Sequence, residues 1–152
     1  DILMEGGRET PRGWHYVRQC KVVKDSLAPE GEHYVTFSNA IAGRASQALQ
    51  AFGIDGHKVP TLEVSLRVRV KDVQRGQNIQ QLPVLAIVFY DDKQNIIGER
   101  SLGPWQGTFD WQTEHGTLNV PPKAVTGILR IGLLGAVGEV SYDNIRVAAG
   151  GK

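Results

Sequence analysis

A single cysteine, Cys20, leaves no internal disulfide and no cysteine-based zinc cluster within the chain. This excludes little about compartment, because a domain of this length can build a core without staples. Charge of one sign is also missing: 17 Lys and Arg stand against 16 Asp and Glu, a formal net charge of +1. That balance gives no reason to expect nucleic acid or an anionic membrane surface as partner. No apolar run approaches the ~18–20 residues of a membrane span, and no signal peptide is visible. The chain starts at Asp1, which reads as a processed or excised piece, and its ending "AAGGK" reads as a linker stub over 149–152. The expectation is one domain over 1–148.

Catalytic and metal motifs are equally sparse. There is no GxSxG, and Cys20 has no histidine partner in sequence. The four histidines, His15, His33, His57 and His115, lack HxH or HExxH spacing and read as polar surface residues. "GIDGHK" and "YDDKQN" place aspartates near turns without the alternating oxygen ligands of an EF-hand loop. A carboxylate pair assembled across strands leaves no sequence signal. The expectation is a chain that is not an enzyme in isolation.

What the sequence does contain is strand periodicity. In "TLEVSLRVRV", Leu62, Val64, Leu66, Val68 and Val70 alternate with Glu63, Ser65, Arg67 and Arg69, which predicts a long strand with one buried and one polar face. "PVLAIVFYD" is apolar on both faces and reads as a central strand covered on both sides, with Tyr90 in phase with Val88. "DDKQN" is a hairpin turn into "IIGERSL". "GILRIGLLG" puts Leu129, Ile131 and Leu133 inward and Arg130 opposite, and "GEVSYDNIRV" is the last strand. "GWHYVRQCKVV" and "HYVTFSN" supply two more near the start. "SQALQAFGI" can be read either way, because Ile41, Ala45, Leu49 and Phe52 have helical spacing. Eight to nine strands with glycine- or proline-bearing turns predict an all-β antiparallel sandwich of the jelly-roll kind.

Two of the three tryptophans fall in "GPWQGTFDWQ". Trp105 follows Pro104 in a glycine-flanked loop, where a large ring either packs on a strand or meets a ligand. Trp111 is out of phase with Leu118 and Val120, and a bulge at Gly116 would return it to the core.

With the strands placed, the chain resembles the galactose-binding-domain-like carbohydrate-binding modules attached to bacterial xylanases and cellulases. "LMEGGRETPRGW" resembles the family's opening, with Glu9 and Trp14 matching and with Glu5 and Arg8 replacing its asparagine and phenylalanine. "GTFDWQTEHGTLNVPPKA" resembles the penultimate region, and "IGLLGAVGEVSYDNIRV" the closing strands. The resemblance implies a secreted, extracellular or periplasmic module of a larger protein. Its partners would be a polysaccharide or oligosaccharide and the neighbouring domains, and its job would be to hold an attached enzyme near substrate. It also implies a structural calcium, with Glu9 and Asp143 as the ligands carried over by position. A spacer or docking sandwich without glycan binding is the alternative.

The glycan would lie on a concave sheet face or in a loop groove, and the expected binding residues are Trp105, Tyr90, Arg67, Arg69 and Arg130. The three arginines form one cluster if their faces belong to the same sheet. They would then favour an acidic or sulfated glycan, unless Glu63, Glu99 and Glu139 neutralise them.

Overall fold

The structure, a computed structural model, describes residues 15–24 and 33–150. It is an antiparallel β-sandwich of ten strands: β1 (His15–Arg18), β2 (Cys20–Lys24), β3 (His33–Asn39), β4 (Gln47–Gly53), β5 (Thr61–Gln74), β6 (Leu85–Tyr90), β7 (Ile96–Leu102), β8 (Gly107–Asn119), β9 (Thr126–Gly132) and β10 (Val137–Ala149). Sheet I has the order β1-β4-β9-β6-β7 and sheet II the order β2-β3-β10-β5-β8. There is no helix among the described residues.

The all-β sandwich agrees with the sequence expectation, and the extra strand has a local cause. The stretch expected to form one early strand breaks at Gln19, whose φ of 53° turns the chain. β1 then pairs with β4 in sheet I, while β2 pairs with β3 in sheet II. "SQALQAFGI" resolves as strand β4, because pairing with β9 from Gln47↔Gly132 to Gly53↔Thr126 satisfies its backbone. β10 runs to Ala149, and the Gly150 amide still donates to Thr61 O at 2.8 Å, so the sandwich extends past the expected linker boundary.

The core lies between the sheets. Sheet I contributes Leu85, Ile87, Phe89, Leu129 and Ile131, and sheet II contributes Phe37, Leu66, Val68, Val140 and Tyr142. Burying each such apolar side chain stabilises the fold by roughly 1.5–3 kcal/mol. Tyr142 is the hub: Phe37 and Trp105 both meet its ring edge-on at centroid distances of 5.9 Å, and its hydroxyl donates to Gly132 O at 3.2 Å. Desolvation raises its phenol pKa, so the hydroxyl remains a donor. Burial likewise pushes the Cys20 thiol up to about 12, which keeps it protonated and unreactive.

Trp105 belongs to this core. The 103–106 connection carries the chain from sheet I to sheet II and places the indole between them, 5% exposed. Its expected role as a displayed sugar platform is therefore corrected: a ring packed against Tyr142 has no free face for a pyranose. The apolar run in β6 is also less enclosed than expected. Leu85, Ile87 and Phe89 are buried, but Val88 and Tyr90 on the outer face are half exposed.

Candidate functional site

The two sheets have two outer faces, and they divide the expected site residues between them. Arg67 and Arg69 lie on β5 in sheet II, whereas Arg130 on β9 and Tyr90 on β6 lie in sheet I. The single arginine cluster is thus corrected: the condition of a common sheet is not met, and the sandwich thickness separates the two groups.

On sheet II the outward positions follow from register, with Ser141 opposite both Arg69 and Thr36, and Asp143 opposite Arg67. This face is polar but largely desolvated: Tyr34, Thr36, Ser141 and Asp143 are buried. The Thr36 and Ser141 hydroxyls bond to each other at 2.9 Å. Arg69 donates from Nη2 to the Tyr34 hydroxyl at 3.1 Å, and its guanidinium carbon lies 4.9 Å from the Trp111 ring centroid and 5.3 Å from that of Tyr34. Arg67 Nε is buried without a hydrogen-bond partner.

Trp111 lies in this outer cluster by simple alternation from Leu118, because β8 carries no bulge at Gly116 that would return it to the core. β8 pairs regularly with β5 through Gly116, and the register then jumps from Val68↔Gln112 to Val70↔Phe109. Asp110 and Trp111 together oppose Arg69, and this extra residue turns Phe109 inward while Trp111 stays outward against Tyr34. The tryptophan is structural, but on the outside of sheet II and not in the central core.

Sheet I presents the open face. A groove of about 550 Å³ crosses it from Gln47 on β4, over Arg130 on β9, to Glu99 and Ser101 on β7. That volume lies within the ~300–1,000 Å³ of small-ligand sites. Register explains its floor: Arg130 pairs with Leu49 on one side and Ala86 on the other, and Ala86 pairs with Ser101. Ala and Ser leave room in which the longer side chains stand. Arg130 Nη2 meets Glu99 Oε1 at 3.4 Å, with the side chains 38% and 55% exposed. Among the described residues, this is the pairing that the expected neutralisation by Glu63, Glu99 and Glu139 provides for Arg130. Glu63 instead accepts from the Thr117 hydroxyl at 3.0 Å.

Three connections wall the groove: residues 40–46 between β3 and β4, 75–84 between β5 and β6, and 133–136 between β9 and β10. They are locked together. Asn39 Nδ2 donates to Ile41 O at 2.8 Å and to Ala136 O at 2.9 Å, while its Oδ1 accepts from Arg44 Nε at 2.8 Å. The Gly43 amide donates to Gly135 O at 2.8 Å. Gly76 approaches the same carbonyl so closely that any Cβ there would collide with it. Gln81 closes the 75–84 loop, accepting from the Gly76 and Gln77 amides. Side chains on such a rim are held in place before any ligand arrives.

Of the expected residues, then, only Arg130 lines this groove. Tyr90 is on the same outer face but four residues along β6 from Ala86, about 13 Å at the ~3.3 Å rise of a strand. Sequence reasoning missed Gln47, Gln80, Gln81, Glu99 and Ser101 as a group. The only available signal was the amide-rich loop stretch "QNIQQ", and nothing in it says that the loop folds over β9. Glu9 and Trp14 lie outside the described residues, as does the rest of "LMEGGRETPRGW". Asp143 is fully buried and accepts from the Asn144 amide at 2.8 Å. Among the described residues no three His, Cys, Asp or Glu side chains cluster as a metal site, so Asp143 is the sole described member of the expected calcium pair.

No protein-family model matches the chain, and no curated protein matches its sequence. Similarity appears among solved structures. The family 16 carbohydrate-binding module-2 is 13% identical with a TM-score of 0.62, over 90% of this chain and 91% of that one. The CBM22-1-GH10 modules of Clostridium thermocellum Xyn10B, complexed with xylohexaose, are 12% identical with a TM-score of 0.63, over 91% of this chain and 26% of that one. The enzymatically active domain of bacteriophage CBA120 tailspike protein 4 is 14% identical with a TM-score of 0.67, over 90% of this chain but 19% of that one. The chain thus spans a minor part of the two larger proteins. Most of the structural neighbours are carbohydrate-binding modules. Two five-stranded antiparallel sheets, matched over some nine tenths of the chain, give this protein the β-sandwich fold of the carbohydrate-binding modules.

Proposed function

We propose that this domain is a non-catalytic glycan-binding module whose ligand lies in the sheet I groove. The observation that carries the reading is the groove itself: primary amides, a hydroxyl and an arginine–carboxylate pair converge on a cavity whose rim is prelocked. Amides and guanidinium groups supply the planar, paired donors and acceptors that vicinal sugar hydroxyls need. In a larger extracellular protein the module would raise the effective concentration of an attached enzyme on its polymer. Of the expected residues, Arg130 would contact the ligand directly and Tyr90 would meet its extension along the face. With Arg67 and Arg69 on the other sheet and Glu99 beside Arg130, a neutral glycan fits better than the acidic or sulfated one.

Affinity electrophoresis of the isolated domain against a panel of soluble polysaccharides, with xylohexaose as a first competitor, tests this. Retention that a soluble oligosaccharide reverses, without turnover of the polymer, is expected. No retention on any member overturns the reading in favour of the spacer alternative.

A structural calcium held by Glu9 and Asp143 is a second proposal, supported by the hard oxygen donors that the two carboxylates offer. Chelation should then lower the melting temperature, and re-addition of calcium should restore it. An unchanged melting temperature counts against the ion.

A further inference from the structure

The groove contains an apolar contact that its polar chemistry does not explain. Leu134 lines the wall together with Val84. It sits in the 133–136 turn, where Ala136 N donates to Leu133 O at 3.0 Å and both central residues have positive φ, 52° at Leu134 and 98° at Gly135. Two positive values are what a type I′ turn requires, and its first central position is ordinarily filled by Asn, Asp or Gly. A leucine there is strained, because its Cβ crowds the backbone in the left-handed region. Among the described residues, the four other non-glycine positions with positive φ are Gln19, Asp72, Gln94 and Asn144, all polar. Strain of this kind at a cavity wall points from the backbone to the ligand.

A further feature agrees. No aromatic ring lines the groove among the described residues, so a pyranose face has nothing to stack on there. An aliphatic wall of Leu134 and Val84 beside amide, hydroxyl and ion-pair groups suits a sugar that carries a small apolar group beside its hydroxyls.

We propose that the groove selects sugars bearing a methyl-terminated group, either an acetyl substituent or the methyl of a 6-deoxy sugar, seated against Leu134 and Val84. This rests on the groove being a glycan site and adds the class of glycan it takes. One methyl-sized group in a fitted pocket discriminates by about 10-fold or more.

The test uses matched pairs with the intact domain and isothermal titration: chitohexaose against cellohexaose for N-acetyl, native against alkali-deacetylated glucomannan for O-acetyl, and 6-deoxyglucose against glucose for the deoxy methyl. The substituted member of at least one pair should bind about 10-fold tighter, and the pair that responds identifies the source of the methyl. Leu134→Asn suits the turn, so its melting temperature should hold or rise, while the ratio within the responding pair falls toward one. Equal binding within every pair, or a ratio untouched by Leu134→Asn, overturns the inference and leaves the glycan-binding reading standing. Failure to bind any glycan on the broad panel overturns that reading, and this inference with it.

Discussion

The two outer faces of the sandwich carry similar residue types and do opposite things with them. On sheet II, Thr36, Ser141, Tyr34 and Asp143 are buried, and the hydroxyls of the first two are bonded to each other. On sheet I, Arg130 and Glu99 are partly solvated and only loosely paired at 3.4 Å. A desolvated polar group with its partner in place stabilises the fold and has little left to offer a ligand. A half-solvated group on a fixed rim keeps spare donors and loses little water on binding. Polarity alone therefore does not mark a recognition surface; burial and existing partners separate the two faces.

The largest expected effect comes from the core that both faces share. Trp105→Ala removes a buried indole from its place against Tyr142 and should cost ~3–5 kcal/mol, read as a fall in the urea midpoint. Any loss of glycan retention should track the unfolded fraction. Normal stability with lost binding would instead restore Trp105 as a ligand platform and break the division between core and site.

A middle-sized effect belongs to sheet II. Ser141→Ala strips the Thr36 hydroxyl of its partner in a buried setting and should destabilise by ~1–3 kcal/mol. Pairing it with Thr36→Val should recover part of that loss, because no orphaned hydroxyl remains. Glycan affinity of the folded protein should be unaffected by either form. A binding defect here would mean that the sheet II face takes part in recognition after all.

How far the sequence speaks follows the same division. Alternation in Leu62 to Val70 and in Leu129 to Leu133 placed core and outer positions correctly, because burial of one strand face is written with period two. The "DDKQN" hairpin was legible because Asp91 captures the Lys93 and Asn95 amides locally. What alternation cannot report is which sheet a strand joins. Arg69 and Arg130 look equivalent in sequence, yet the crossing at 54–60 carries β5 into sheet II and the crossing at 120–125 carries β9 into sheet I. The bulge considered at Gly116 does not form, so Trp111 keeps the outward phase of simple alternation, and the slip at Asp110–Trp111 was not foreseen because a slip of one residue is set by the partner strand. The groove was illegible because its walls meet only through contacts between distant loops, with Asn39 bonded to Ala136 and Gly43 to Gly135.

The smallest expected effect on stability falls on sheet I, and it draws the comparison most sharply. Arg130 and Glu99 are exposed enough for water and salt to screen their attraction, so Glu99→Gln should shift stability by no more than ~1 kcal/mol. Arg130→Ala should be similarly quiet in denaturation, since the side chain stands over a floor already packed around Ala86. Both should nevertheless weaken binding of whichever glycan the wild-type domain retains, with Arg130→Ala costing about 10-fold or more, because each removes a donor or acceptor from a site whose other groups then face the ligand unpaired. Titration beside a denaturation curve for each variant measures the two quantities separately. Sheet I variants should be silent in stability and marked in affinity, and Ser141→Ala the reverse. If Arg130→Ala proved destabilising and binding-neutral, the open face would be scaffold, and the difference in burial between the two faces would carry no functional meaning.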